Sequence, residues 1–253
     1  MPSVKVGDLT MHYEVHGDGI PLLVIWGIGG EIPSLISELA ERTSGNYQVI
    51  HFDNRGSGRT EKPDIPYSIE MMADDTAGLM DAIGIRRAHI LGISTGSRIA
   101  LAVAARHPDK VRSLVLHVAA ARSPDREDPE AAAAFERLRV AMTQPGFAET
   151  VLAHPPTVAS FERQYEALRL FDGRSLLGQI GVPVLIVNGT RDRSTPVGYV
   201  EELRAGIPGA RLVLVDSHHM FARITPDLLI RPALAFLTEV DAKPVPCIGG
   251  DSE

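Results

Sequence analysis

The residues that could do chemistry are centred on Ser94, which has Gly92 two positions before it and Gly96 two positions after it. A β-rich run, 88–91, leads into this segment, and a strong helix-forming run, 98–105, leads out of it. A sharp turn from a strand into a helix needs small residues at these two positions, because side chains there would collide with the neighbouring strand and helix. The pattern predicts that the Ser94 hydroxyl is presented for attack at a helix N-terminus. A glycine-serine turn without chemical function is the alternative that this segment alone leaves open.

Four segments and a loop with two histidines follow one another along the chain. The segments are 26–30, 53–58, 92–96 and 183–192, and the histidine loop comes last. They resemble the motifs of the α/β-hydrolase family, and the resemblance covers nearly the whole chain. A serine is a weak nucleophile unless an imidazole accepts its proton and an acid orients that imidazole. The family places both partners after the serine in chain order, the acid before the histidine.

By this resemblance Asp192 is the candidate acid, because it lies in the turn that follows the strand-like segment 182–188. For the base, the family usually shows Gly-His with a proline seven residues later. His219 lies seven residues before Pro226 and is the expected base, while His218 replaces the glycine. His218 is either an exposed loop residue or a side chain that narrows the substrate site.

The resemblance also implies an oxyanion hole built from two backbone amides, those of Thr95 and Ile28. The loop that holds Ile28 begins with His-Gly in the family, whereas this chain has Trp26 and Gly27 there. The backbone N–H of Ile28 is still present when Trp replaces the family's histidine, but the histidine side chain that normally braces the loop is lost. Trp26 and Gly27 are candidate substrate contacts, and a core position with the indole N–H bonded to a carbonyl is the alternative for Trp26.

Alternation of short strand-like and helix-like segments predicts an α/β fold with a mostly parallel sheet and helices on both faces. The strand-like runs are 22–26, 47–52, 88–91, 111–118, 182–188 and 211–215, and the helix-like segments are 31–43, 69–83, 97–106, 197–206 and 227–239. An N-terminal antiparallel hairpin from 4–6 and 11–15 is expected to make the first edge of the sheet mixed.

The alternation fails between residues 123 and 177, where helical periodicity dominates and Asp128 followed by Pro129 marks a helix start. We therefore expect a helical cap insertion, 123–177, in an α/β-hydrolase core formed by 1–122 and 178–240, with a mobile tail at 241–253. The cap residues expected to face partly the core and partly the substrate are Phe135, Leu138, Met142, Phe161, Tyr165 and Leu168. Of these, Met142, Phe161 and Tyr165 are the candidate substrate contacts.

Composition excludes several other classes. The chain has 25 Lys and Arg against 32 Asp and Glu, a net charge of −7, without the cationic run that nucleic-acid binding needs. Its longest stretch without Asp, Glu, Lys or Arg, 175–190, has sixteen residues, short of the roughly 20 that span a bilayer. The single cysteine, Cys247, cannot form an internal disulfide, which favours a cytoplasmic protein. Apart from His12 and His16, which lie at the predicted strand 11–15, the histidines lack helical metal-ligand spacing, and no dinucleotide fingerprint occurs. We therefore expect no metal and no cofactor.

The expected function is that of a cofactor-free serine hydrolase acting on a small-molecule acyl substrate, a carboxylic ester, lactone or thioester. Two other hypotheses remain open at this level. A lyase, cyclase or acyl-eliminating enzyme would keep the same residues but exclude water, and a receptor-like relative would bind a ligand without turnover. Substrate identity and oligomeric state are not encoded in these motifs.

Overall fold

The computed structural model describes residues 2–30, 33–43, 45–124 and 128–242 of the chain. The strands are β1 (Ser3–Val6), β2 (Leu9–His16), β3 (Ile20–Ile25), β4 (Tyr47–Phe52), β5 (Ala88–Ile93), β6 (Val111–His117), β7 (Val184–Gly189) and β8 (Arg211–Val215). The α-helices are α1 (Pro33–Thr43), α2 (Ile69–Ala82), α3 (Thr95–Arg106), α4 (Pro129–Thr143), α5 (Phe147–Val151), α6 (Val158–Leu170), α7 (Val197–Gly206), α8 (Phe221–Ile224) and α9 (Asp227–Ala242). No helix in these ranges combines the length and the apolar character needed to cross a membrane.

The strands form one eight-stranded sheet in the order β1-β2-β4-β3-β5-β6-β7-β8. The pairs β1–β2 and β2–β4 are antiparallel, and every pair from β4–β3 to β7–β8 is parallel. This confirms the expected α/β class and the mixed first edge. The predicted strands 47–52 and 211–215 have the observed bounds of β4 and β8.

Both faces of the sheet are covered by helices. Successive residues of a strand point to opposite sides of the sheet, so each strand contributes side chains to both faces. On one face Leu23 and Ile25 of β3 belong to a core cluster with residues of α2, α3 and α7. On the other face Leu22 and Val24 of the same strand pack in a cluster with residues of α1 and α9. A strand buried on both faces has to be apolar throughout, which explains why these runs lack polar alternation.

Three helices, α4–α6, lie between β6 and β7 and are called the cap below. As predicted, Asp128 caps α4 by accepting a hydrogen bond from the Ala131 amide. The cap is joined to the rest of the fold by Arg98 of α3, whose buried guanidinium donates to the carbonyls of Ala120 before the cap and of Leu168 within α6. The division of the chain into an α/β-hydrolase core and a cap insertion at 123–177 stays a prediction. Most of the predicted mobile tail, from residue 243 onwards, lies outside the described residues.

The parallel strands β3, β5, β6, β7 and β8 all end at the same edge of the sheet, so the loops after them meet there. The tightest of these connections is the turn from β5 into α3. A Cβ on Gly92 would lie 2.6 Å from the carbonyl oxygen of Gly96, and a Cβ on Gly96 would overlap the carbonyl oxygen of Ile25. The two glycines thus let α3 pack directly against β3 and β5.

Replacing Gly96 by alanine is expected to disrupt this turn, because the nearest atoms belong to backbone that cannot move aside. We expect a loss of about 3 kcal/mol or more in the free energy of unfolding, measured by urea denaturation. Gly198→Ala in α7 is the matched control, since its Cβ would meet open space, and its stability should stay within about 0.5 kcal/mol of the parent. Equal stability of the two variants would contradict the packing described here.

Candidate active site

Three side chains from three different loops are in contact at the carboxyl edge of the sheet. The Ser94 hydroxyl, after β5, lies 3.3 Å from Nε2 of His219, after β8. The other ring nitrogen, Nδ1 of His219, lies 2.8 Å from Oδ2 of Asp192, after β7. In this arrangement the carboxylate accepts from Nδ1–H, so Nε2 is left with a lone pair that can accept the serine proton.

Ser94 is held in a strained backbone conformation, with φ 54° and ψ −113°. For a residue other than glycine such a conformation costs about 1–3 kcal/mol and persists only where its surroundings enforce it. Here the Ser94 amide donates to the carbonyl of His117 at 2.9 Å, and the tight packing at Gly92 and Gly96 leaves the turn no alternative path. The result is a hydroxyl that projects from the start of α3.

Asp192 is fixed by hydrogen bonds to both of its carboxylate oxygens. Its side chain is fully buried, and Oδ1 accepts from the amides of Ser194 and Thr195, both at 2.8 Å. The turn itself is tied to the histidine loop, because the Arg191 amide donates to the carbonyl of Ser217 at 2.9 Å. With Oδ1 occupied, Oδ2 is oriented towards His219.

Two backbone amides beside Ser94 are suited to bind an oxyanion. Within the described part of the chain, the N–H groups of Ile28 and Thr95 donate to no other group. Thr95 is the first residue of α3, where the helix dipole adds partial positive charge. The loop of Ile28 approaches closely, since a Cβ on Gly27 would lie 3.4 Å from Cβ of Ser94.

The loop after β3 is braced by side chains that the sequence analysis did not identify. Nδ2 of Asn54 donates to the carbonyl of Trp26 at 3.0 Å, and the Gly29 amide donates to Oε1 of Gln164 at 3.3 Å. Nε2 of the same glutamine donates to the carbonyl of Arg55 at 2.6 Å and to the hydroxyl of Ser57 at 2.7 Å. These bonds supply the bracing that was expected to be lost with the family's histidine.

A cavity of about 380 Å³ opens beside Ser94 and His219, within the size range of small-molecule sites. Residues of the cap and of the loop after β3 give it a mainly apolar wall that includes Gly27, Ile28, Phe135, Leu138, Met142, Phe147, Leu152 and Leu168. The polar groups in the wall include Ser194, His117 and Arg223. The predicted contacts Gly27 and Met142 both lie in this wall.

Trp26 does not line this cavity, contrary to the substrate contact expected of it. It continues the pattern of Leu22 and Val24 and so points into the core beneath α1 and α9. Its ring packs edge-to-face against His51, with centroids 5.8 Å apart. The core position of the alternative expectation is therefore confirmed. Its hydrogen bond is wrong, because Nε1 has no hydrogen-bond partner among the described residues.

Three other predicted contacts also lie outside the cavity wall. Phe161 is fully buried in a small cluster with Met142 and Ala148, separate from the two core clusters that flank the sheet. Tyr165 is partly buried and directs its hydroxyl to Glu136, at 3.4 Å. His218 is exposed, as the first of its two interpretations expected, and its Nδ1 accepts a hydrogen bond from the Met220 amide.

His117, at the end of β6, is a second imidazole in the cavity wall that the sequence analysis did not single out as a contact. It is 2% exposed, and neither ring nitrogen has a hydrogen-bond partner among the described residues. Burial and, to a smaller extent, the nearby His219 together lower the pKa of His117 to about 3. The ring is therefore neutral at physiological pH and adds no positive charge beside His219.

Comparison with known proteins finds similarity over most of the chain. A family model described as “alpha/beta hydrolase fold” matches residues 20–170. A protein of Azorhizobium caulinodans named “Putative carbamate hydrolase RutD” is 32% identical over 95% of this chain and 100% of its own length. The pimeloyl-(acyl-carrier protein) methyl ester esterase of Neisseria meningitidis is 32% identical over 81% of this chain and 69% of its own. The enol-lactonase from Burkholderia xenovorans LB400 has a TM-score of 0.81 and 28% identity, covering 94% of this chain and 100% of its own.

Gln164→Leu is expected to loosen the loop that holds Ile28, because leucine preserves the volume but cannot accept from the Gly29 amide. Loss of an oxyanion donor typically slows acyl transfer by 10²–10³-fold, and we expect misplacement of a donor to slow phosphonylation of Ser94 by about ten-fold. The rate constant can be measured with a fluorophosphonate on protein shown to be folded by circular dichroism. In the control Gln179→Leu, the lost amide donates only to the neighbouring carbonyl of Ser175, so the rate should not change. An unchanged rate in folded Gln164→Leu would show that this brace is dispensable.

Proposed function

Because the chain belongs to the α/β-hydrolase family, we propose that it is a serine hydrolase that cleaves a carboxylic ester, lactone or thioester through an acyl-enzyme on Ser94. The observation that carries this proposal is the continuous contact from Ser94 through His219 to the buried carboxylate of Asp192, at the wall of a mainly apolar cavity. Each partner lies on a separate loop, so the contact requires the whole sheet to be assembled.

In the proposed reaction, Oγ of Ser94 bonds to the carbonyl carbon of the substrate while its proton passes to Nε2 of His219. The electron pair of the carbonyl π bond moves to oxygen, and the amides of Ile28 and Thr95 donate to that oxyanion. When the tetrahedral intermediate collapses, the bond to the leaving oxygen or sulfur breaks and His219 returns the proton to the leaving group. Asp192 holds the imidazole in position and stabilises its charged form.

A second half-reaction releases the product. Water attacks the acyl carbon, its proton passes to His219, and the carboxylic acid leaves as Ser94 regains its proton. Nucleophile, base and oxyanion donors all come from this chain, so the proposed scheme calls for no cofactor.

The names of the similar proteins support acyl chemistry of this kind. They refer to hydrolysis of a carbamate, of a methyl ester and of an enol lactone. All three compounds contain a carbonyl carbon bonded to a heteroatom that can leave. The mainly apolar wall around Phe135 and Met142 favours an uncharged alkyl part next to that carbonyl.

Labelling with a fluorophosphonate, read by intact mass, tests the proposal directly. We expect one adduct on the parent protein, no adduct on Ser94→Ala, and labelling slowed at least 10²-fold in His219→Ala. Ser194→Ala is the matched control, because this serine also lines the cavity but its hydroxyl has no contact with His219 among the described residues. Failure of a folded parent protein to label would sink the proposal. Turnover retained by Ser94→Ala but lost by His219→Ala would instead favour an eliminating enzyme.

The position of Arg223 in the cavity wall leads us to expect a preference for acyl groups that carry a negative charge. Among the described cavity-wall residues it is the only Lys or Arg, and within the described chain its guanidinium forms no ion pair. An acyl group that ends in a carboxylate can meet this charge at the exposed rim. A partly exposed ion pair is worth up to about 1 kcal/mol, which corresponds to about five-fold in affinity.

We therefore expect Arg223→Gln to raise KM for p-nitrophenyl hemisuccinate about five-fold while KM for p-nitrophenyl butyrate stays unchanged. The two esters have acyl chains of similar length and differ chiefly in the terminal carboxylate. Arg193→Gln, in the acid turn, controls for a general change in electrostatic potential and should alter neither value. A parallel rise in KM for both esters would argue against a charge-specific contact.

A further inference from the structure

A second cluster of reactive side chains lies on the antiparallel edge of the sheet, away from the loops of the candidate triad. Glu14 of β2 pairs directly opposite His51 of β4, and His16 lies two residues further along β2 on the same face. Nε2 of His16 lies 3.3 Å from Nε2 of His51. Oε2 of Glu14 lies 3.6 Å from the His51 nitrogen and 3.8 Å from the His16 nitrogen.

These separations match those between the ligand atoms of one metal ion. Tetrahedral zinc with bonds of 2.0–2.1 Å holds its ligand atoms about 3.3–3.4 Å from one another. The two imidazole nitrogens already have that spacing, and the carboxylate oxygen needs to move by only a few tenths of an ångström. We propose that Glu14, His16 and His51 form a binding site for a divalent transition-metal ion of the zinc class, with a fourth position open to water.

The protonation states of these residues suit metal binding, which needs neutral imidazoles and an ionised carboxylate. Burial lowers the pKa of His51 to about 4, against the opposing effect of the Glu14 charge, so its ring is neutral at pH 7. Partial burial opposes ionisation of Glu14. However, the hydrogen bond with His12 and the charge and hydrogen bond of Arg59 also act on Glu14, and its pKa lies below its usual value.

The carboxylate is oriented by neighbours that bind its other oxygen. Oε1 of Glu14 accepts from Nη1 of Arg59 at 2.9 Å and lies 3.2 Å from Nε2 of His12. Such outer contacts usually orient carboxylate ligands in metal sites and leave the second oxygen for the ion. The charge of Arg59 is shared with Asp53, whose Oδ2 is 3.2 Å from Nε. With Glu14 ionised, the two negative charges of Glu14 and Asp53 exceed the single positive charge of Arg59. The net charge around the cluster is therefore negative, which favours binding of a cation.

Without an ion, the two histidines can share a proton. The planes of the rings are only 7° apart, and their centroids are separated by 5.4 Å, so the facing nitrogens can form an N–H···N hydrogen bond. An ion that replaces this proton must lie off the line between the nitrogens, towards Glu14, and one ring has to tilt to meet it. His16, whose side chain is 38% exposed, has room for this movement.

The chain contains its own reporter of occupancy. Trp26 is the only tryptophan in the sequence and packs edge-to-face against His51. A Cu²⁺ or Ni²⁺ ion bound to His51 should therefore quench the fluorescence of Trp26. A bound ion would also join β2 to β4 and stabilise the folded state by mass action.

The test is a titration of chelator-treated protein with Zn²⁺, followed by calorimetry and by melting temperature, and with Ni²⁺, followed by tryptophan fluorescence. We expect one saturable site, a raised melting temperature and quenching. Mg²⁺ should produce none of these three effects, because it prefers an all-oxygen shell. His16→Ala should weaken binding at least ten-fold, and Glu14→Gln should also weaken it while keeping an acceptor for Arg59.

His154→Ala, at an exposed histidine of the cap region, is the matched control and should bind as the parent does. Because His16 is partly exposed, its replacement should leave the apoprotein folded, which the melting curve without metal verifies. Absence of saturable Zn²⁺ binding by the parent would overturn the proposal. Binding of equal strength by His16→Ala would overturn it as well, because the ion would then lie elsewhere.

Discussion

The rest of the site depends on one steric constraint, the absence of space for side chains around the turn from β5 into α3. The carbonyl of Ile25 and the backbone of Ser97 occupy the volume that a Cβ on Gly96 or Gly92 would need. Because α3 lies this close to the sheet, its first amide and the loop after β3 come together around Ser94. The strained φ of 54° at Ser94 is a consequence of this packing, and the cooperative core that surrounds it maintains the strain.

The cap does more than cover the cavity. Gln164 on α6 hydrogen-bonds to Gly29 and Ser57, so the cap is attached to the loop that would hold the oxyanion. Arg98 of α3, the helix that follows Ser94, donates to the carbonyl of Leu168, one turn after Gln164 on the same cap helix, and to the carbonyl of Ala120 before the cap. Burial lowers the pKa of Arg98 to about 9, which shows how strongly the site disfavours a charge and why those carbonyls matter. The position of α6 and the geometry around Ser94 are therefore linked through hydrogen bonds.

The sequence predicted the sheet well because strands buried on both faces must be apolar and because glycine positions mark the tight turns. Order and spacing of motifs also identified the residues that the structure brings together, Ser94, Asp192 and His219. Prediction from the sequence failed for residues whose role depends on the direction of the side chain or on a partner far away in the chain. Phe161 and Tyr165 lie on a helix whose rotation depends on packing, and Gln164 is separated from its partner Gly29 by 135 residues. The cluster of Glu14, His16 and His51 has no helical spacing that would mark it in the sequence, because Glu14 and His16 have strand spacing and His51 comes from the neighbouring strand.

Three buried or partly buried histidines show how the surroundings assign different chemistry to one side chain. His117 faces apolar neighbours such as Phe221, so burial keeps it neutral and without an acceptor for its N–H in the described chain. His51 is also kept neutral by burial, but it faces a carboxylate and a second imidazole, which is the environment of a ligand. His219 lies between the carboxylate of Asp192 and the hydroxyl of Ser94. Of the three rings, only His219 lies between a carboxylate that can orient it and a hydroxyl that can donate a proton to it, which is the geometry expected of a general base.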